Sequence, residues 1–510
     1  MSSDHFYITT PIFYVNDVPH IGHAYTSIAT DVISRFMQLS GKKVKYLTGT
    51  DEHGQKVELS AKKNDLDPQE FVDKNAEVFK KMMHDLNISN NDFIRTSESR
   101  HKDAAVAFWK ELKSSGNIYL GKYSGWYSVR DEAYYAESEL TEDGFAPTGA
   151  PVEWVEEESY FFALSKWQDK LLDYYEKNPN FILPKSRRNE VISFVKGGLK
   201  DLSISRTSFK WGIPVPGDSG HVIYVWLDAL TNYISALGYP DNTEDFKSYW
   251  PASAHIVGKD ILRFHAVYWP AFLMAAGLEL PKTIMAHGWW TNGGEKISKS
   301  LGNVINPFDL TEEFGIDQVR YFLMREITFG NDGNFSRENL ISRDNSELAN
   351  KIGNLLQRTT SFIYKNCDKK IPDIDISYID EMYDTAMFKE LLSTVKDSTI
   401  QIESFNINGV LDNIVHIAEQ SNIYIDKEAP WTLRKSDPER MNKVLYTLVE
   451  ILRYIGIMLQ PFTPYSAEKM LDQLNIPENE RIFVHLTKEF AIKPNTELIE
   501  PKPLFPRLEK

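Results

Sequence analysis

Two short stretches of this chain hold residues suited to phosphate chemistry. The first is His20-Ile21-Gly22-His23, read as the junction between a strand and a helix. A helix N-terminus offers unpaired N–H groups and the positive end of the helix dipole, and both favour anions. His20 and His23 are three apart, share one face of the first turn, and can both donate to phosphate oxygens. Gly22 has no side chain, which lets a flat base approach the backbone. The second stretch is Lys296-Ile297-Ser298-Lys299-Ser300, between Gly293-Gly294 and Leu301-Gly302-Asn303. Two lysines among small and glycine residues predict a mobile cationic loop that closes over a polyphosphate and neutralises its departing charge. Each stretch alone also reads as something plainer, a pair of capping histidines or a solvated basic loop. Together, at the two ends of a long α/β region, they point to a nucleotide.

The positioning elements follow from hydrophobic periodicity. His5 to Ile12 reads as an apolar strand, Asn16 to Pro19 as a turn, Gly22 to Leu39 as a helix and Val44 to Leu47 as a second strand. A helix over Asp67 to Leu86 continues this opening of a parallel α/β sheet. From Asn117 to Phe162 the chain turns rich in Tyr, Trp, Gly and Glu, which marks an insertion, and a helical stretch follows over Ser165 to Glu176. Alternation then resumes: strands at His221–Leu227, His255–Gly258 and Thr283–Trp289, helices at Asp228–Leu237 and Ile261–Ala276. Beyond Asn339 only helical spacing remains, as in Leu348, Ile352, Leu355 and Leu356, which predicts a bundle. Pro494 to Lys510 reads as an extended tail.

Composition bounds the rest. The chain has 510 residues, 57 Lys+Arg against 72 Asp+Glu, and a net charge of −15, so it is no nonspecific coat for nucleic acid. Hydrophobic residues at 42% and charged residues at 25% exclude a disordered or fibrous chain. No apolar run reaches the about 20 residues of a membrane span. No secretory signal is evident, and Cys367 is the one cysteine, so neither a disulfide nor a cysteine-based metal cluster can form within the chain. A cytoplasmic protein is expected.

The two phosphate motifs match the signature pair of class I aminoacyl-tRNA synthetases. Seven further stretches narrow this: Thr10 to Asn16, Thr50-Asp51-Glu52-His53-Gly54, Asp201 to Arg206, Trp211-Gly212-Ile213-Pro214, Tyr224 to Ala229, Gly258-Lys259-Asp260 and Ala429-Pro430-Trp431. In this order, and to about residue 475, the chain resembles the methionyl-tRNA synthetase family. The resemblance implies a Rossmann-type catalytic domain at 1–116 and 221–338, interrupted by a connective insertion at 117–220. An α-helical anticodon-binding bundle would follow at 339–475, and a tail at 476–510. It implies ATP with Mg2+, L-methionine and tRNA(Met), the initiator included, as ligands. His20, His23, Lys296 and Lys299 would be catalytic. Gly22, Asp260 and Ile297 would join them around ATP. Asp51 would hold the ammonium group of methionine, with Ile12, Tyr14, Trp226, Ala229, Tyr233 and His265 lining its side chain. An aromatic pocket with one or two polar tips suits a polarisable thioether. Asn422, Tyr424 and Trp431 mark the anticodon region.

The chain departs from the family in one telling place. Relatives often hold a structural zinc in the insertion, but Tyr127-Ser128-Val129-Arg130-Asp131 has Ser and Asp where cysteines would stand. No zinc or other protein-held metal is expected, and Trp126, Tyr134, Tyr135 and Trp154 would pack the insertion instead. Ile297 replaces a commoner methionine, and Ile423 a commoner basic residue. A monomer is expected, since relatives with an appended dimerisation domain are longer. Three other functions compete: a synthetase for another aliphatic amino acid, a nucleotidylyltransferase and a non-enzymatic tRNA-binding protein. The insertion is small for an editing domain, and the helical region is large for a nucleotidylyltransferase. A protein that only bound tRNA would not need both phosphate motifs.

Overall fold

The structure is a computed structural model that describes residues 4–16, 18–131, 133–297 and 303–509. Its centre is a parallel sheet with the order Phe13–Tyr14, Lys43–Asp51, His5–Thr9, Ala254–Gly258, Ile284–His287, Ile182–Leu183. Asp92–Arg95 also pairs with Lys43–Asp51. The strands are largely buried because helices cover both faces. One apolar cluster lies on the side of the helix Ile21–Leu39 and runs on into the C-terminal bundle; a second fills the other side beneath Ser99–Ser114 and Trp269–Ala275.

Several boundaries differ from the sequence reading. The first strand stops at Thr9 and restarts at Phe13, because Pro11 has no N–H for a central ladder. The second strand runs to Asp51, through Gly49, where a Cβ would lie 2.0 Å from the carbonyl oxygen of Ile94. The strand expected at His221–Leu227 is Asp218–Ile223, and a helix already begins at Val225. The insertion expected at 117–220 is not one body. Ile118–Ser128, Ala133–Tyr135, Glu153–Phe162 and Leu202–Ser203 form an antiparallel sheet, whereas Ile182–Leu183 returns to the edge of the parallel sheet. A two-residue strand is too short to show a period of its own, which is why pattern reading missed it.

The C-terminal region is helical, with the helices Ile407–Glu428 and Pro438–Leu459 at its heart. The stretch read as a tail is extended but docked: Ile492, Leu498 and Phe505 are buried in the same cluster as the bundle. Catalytic and helical parts meet around Arg320, which is fully buried. It pairs with Asp31 at 2.6 Å and donates to the carbonyls of Leu86 at 3.0 Å, Pro461 at 2.8 Å and Phe462 at 3.2 Å. Among the described residues no helix is long and apolar enough to cross a membrane.

Candidate active site

The carboxyl ends of the parallel strands meet where strand order reverses around His5–Thr9, the usual crevice for ligands in such sheets. His20 caps the first helix: its Nδ1 accepts from the Gly22 N–H at 3.0 Å, and its own N–H donates to His23 Nδ1 at 3.0 Å. Because a backbone N–H is the donor in each bond, each imidazole carries its proton on Nε2. The rings lie 4.0 Å apart, and burial, then the neighbouring His20, holds His23 well below the usual histidine range. The expectation of unpaired N–H groups at this terminus needs correcting. Ile21 N–H already donates to Ile305 O at 3.0 Å, and Gly22 N–H to His20. Gly22 is needed for the cap itself, since a Cβ there would lie 2.8 Å from the His20 ring.

The second motif is bracketed by the same turn. Glu295–Lys296 pairs with Thr291–Asn292 as a hairpin, Asn292 donates to Asn303 O at 3.0 Å, and Ile305 meets Ile21. Ile297 packs against the main core. Ser298 to Gly302, and with them Lys299, lie outside the described residues.

The proposed amino-acid pocket gathers from three strand ends. Asp51 closes its strand beside Tyr14 and is buried. Ile12, Tyr14 and Trp226 border the second core cluster, in which Tyr233 is buried. Ala229 is buried on the same helix as Trp226. Trp226 lies flat on Phe264, 3.7 Å between centroids and 5° between planes, a partner that no sequence signal singled out. His265 has its Nδ1 at 2.9 Å from the Ile261 carbonyl, so Nδ1 carries the proton and Nε2 accepts from Tyr233 OH at 2.7 Å. Burial lowers the His265 pKa to about 4, so the ring is neutral near pH 7.

Asp228 connects these parts. Its carboxylate is fully buried and takes His53 Nδ1 and His101 Nε2, each at 2.7 Å, while Ser235 sits 2.9 Å from His101 Nδ1. Tyr14 OH in turn donates to the His53 carbonyl at 3.0 Å. Burial alone would raise the Asp228 pKa, but the His53 charge and the bonds from His101 and His53 outweigh it and hold the group at about 2. Asp228 and His53 stand inside the stretches that resemble the family, without a signal of their own, and His101 carries no local signal.

A family profile for tRNA synthetases class I (M) matches residues 6–147 and 138–360, and one for the anticodon-binding domain of tRNA ligase matches 384–503. The chain is 64% identical over 504 residues to the methionine–tRNA ligase of Rickettsia felis, covering 99% of this chain and 98% of that protein. The Rickettsia bellii ligase is 65% identical over 505 residues, with 99% of each chain covered. The chain belongs to the methionyl-tRNA synthetase family. A solved family member, the Mycobacterium tuberculosis methionyl-tRNA synthetase in complex with methionyl-adenylate, superposes with a TM-score of 0.94 at 46% identity, covering 99% of this chain and 100% of that one.

The family's anticodon-binding domain here presents Trp431, 46% exposed, with the Arg358 guanidinium 5.4 Å from its ring centre. Asn422 spends its amide hydrogens on the Lys351 and Ala418 carbonyls at 3.0 and 2.9 Å, and Tyr424 packs against the core. Arg358 is the neighbour that sequence reading did not name. In the insertion, Trp126 meets Trp154 edge-on at 5.3 Å. The fully enclosed Arg206 guanidinium lies 4.4 Å from the Tyr134 and Tyr224 rings. Asp131 accepts from Thr148 Oγ1 and from Tyr135 OH at 3.0 Å, and its N–H donates to Ser128 Oγ at 3.2 Å.

The Asp228 geometry predicts an acid-sensitive share of stability. A folded pKa near 2 against about 3.9 unfolded corresponds to roughly 2.6 kcal/mol. This contribution is fully present above about pH 4 and is lost as pH falls towards 2. Urea unfolding of Asp228→Asn should show about that deficit at pH 7, narrowing as pH falls through this window. A deficit independent of pH would mean that charge is not its source.

Proposed function

We infer that this chain is a methionine–tRNA ligase acting as a monomer in the cytoplasm. It joins L-methionine to ATP, releasing pyrophosphate, and passes the methionyl group from the adenylate to tRNA(Met), the initiator included. What supports this reading is that the His20–His23 cap and the ring cluster of Trp226, Tyr233 and His265 both follow the carboxyl ends of neighbouring parallel strands. Asp51 takes the methionine ammonium group, and the sulfur lies against Trp226, the Tyr233 hydroxyl and the neutral His265 ring. A neutral, weakly polar lining suits a thioether, which accepts hydrogen bonds poorly but is polarisable.

The methionine carboxylate is already an anion and needs no general base. Its oxygen bonds to the α-phosphorus while the bond from that phosphorus to the bridging oxygen breaks, and pyrophosphate leaves with the electron pair. Catalysis is then positioning and charge stabilisation. The Nε2–H groups of His20 and His23 meet phosphate oxygens, Gly22 keeps the cap compact, and Asp260 and Ile297 border the nucleotide. Lys296 and Lys299 answer the charge that grows on pyrophosphate. Magnesium enters with ATP. Among the described residues no group of histidines or carboxylates could cage a cation, so the ATP phosphates and water would hold it. Zinc does not fit the insertion either, since Asp131 is committed to hydroxyl donors with Arg130 beside it.

Pyrophosphate exchange should depend on methionine and on none of the other nineteen amino acids. Lys299→Ala should lower that exchange by about 10²–10³ while methionine affinity stays near normal, as for a donor used mainly in the transition state. Near-normal exchange in this variant would remove the loop from the chemistry. Trp431→Ala should raise the KM for tRNA by about tenfold, the worth of one stacked base, with exchange unchanged. An unchanged KM would place anticodon reading elsewhere. Elemental analysis of the purified protein should find no stoichiometric zinc.

A further inference from the structure

We propose that Asp332, which lies in none of the sequence motifs, is a positioning residue for the ATP half of the site, acting through Lys259 and Trp289. The proposal rests on the reading above that Asp260 borders the nucleotide. Three chain segments cross here. The strand Ala254–Gly258 runs out into Lys259 and Asp260, the strand Ile284–His287 runs through Gly288 into Trp289, and Asn331-Asp332 leads into the strand Gly333–Phe335. The crossing is tight: a Cβ on Gly288 would lie 2.2 Å from the Asn331 carbonyl oxygen, so only glycine allows it.

At this crossing Trp289 is held at four points. Its N–H donates to Asp332 Oδ1 at 2.8 Å and its carbonyl accepts from Gly333 N–H at 2.9 Å. Lys259 Nζ stands 4.3 Å from the ring centre, and the indole N–H donates to Asp260 Oδ1 at 3.0 Å. Asp332 also takes Lys259 Nζ with both oxygens, at 2.7 and 2.6 Å. Lys259 is the chain neighbour of Asp260, and an ammonium left loose there would pair with the Asp260 carboxylate and neutralise it. Asp332 draws the ammonium away. Asp260 keeps its indole donor on one oxygen, folded back over Gly258, where a Cβ would lie 2.5 Å from Oδ1, and remains an anionic acceptor. Trp289 is also the last residue before the hairpin that leads to Lys296, so the same clamp fixes the root of the cationic loop.

The Asp332 side chain is half exposed, and exposed ion pairs contribute little to stability. The test is therefore kinetic. In methionine-dependent pyrophosphate exchange, Asp332→Asn should raise the KM for ATP by about tenfold, the size of a lost charge-assisted bond. The KM for methionine and the thermal midpoint should not move. Adding Lys259→Met to that variant should bring the KM for ATP back towards wild type, because the competing cation is gone; a merely structural role gives no such rescue. Asp260→Asn, measured alongside, should raise the KM for ATP by itself. A wild-type KM in Asp332→Asn, or a double variant no better than the single one, overturns the proposal. A wild-type KM in Asp260→Asn overturns the reading of the ATP site, and this proposal with it.

Discussion

Everything in the site depends on one backbone constraint: the strand His5–Thr9 hydrogen-bonds in parallel to Lys43–Asp51 on one side and to Ala254–Gly258 on the other. Parallel pairing forces all three carboxyl ends to one edge. The short strand therefore draws Asp51 and Asp260, which lie far apart in the chain, to the rim of one crevice. The helix that begins after it supplies His20 and His23 to the same rim. Side-chain bonds across the edge then fix the geometry that the ladder makes possible. Asp228 joins the ends from His53 and from the pocket helix, while Thr26 Oγ1 sits 2.8 Å from His287 Nε2, linking the first helix to the strand Ile284–His287.

Much of this was legible in the sequence. The α/β opening, the switch to helix-only spacing and the two phosphate motifs all rest on local periodicity or on short contiguous stretches. What stayed hidden is non-local. His101 is a helix residue like any other until Asp228 meets it from 127 positions away. Phe264 is one aromatic among many until it lies flat on Trp226. Asp332 has meaning only where three segments cross. The strand Ile182–Leu183 carries two residues of signal and takes its identity from its neighbour Ile284–His287.

The capped helix terminus shows a different kind of limit. Sequence reasoning assigns unpaired N–H groups to the first turn of any helix. Here His20 and the Ile305 carbonyl satisfy two of them before a ligand arrives, and the bond from Ile21 to Ile305 ties the histidine turn to the segment that follows the lysines. The two motifs are thus joined by backbone, and the same cap dictates which imidazole nitrogens carry protons.

The burial of Arg320 bears on modularity. The guanidinium fills its donors with one carboxylate from the first helix and with carbonyls from both halves of the molecule, while a single apolar cluster continues across the same junction. A nuclease-like cut of the gene between the two halves would strand a buried cation with half its acceptors missing and bare an apolar face on each piece. The two family matches part near this junction, yet one buried apolar cluster spans both. Engineering that swaps the bundle between relatives has to carry Pro461 and Phe462 together with the surface that receives them.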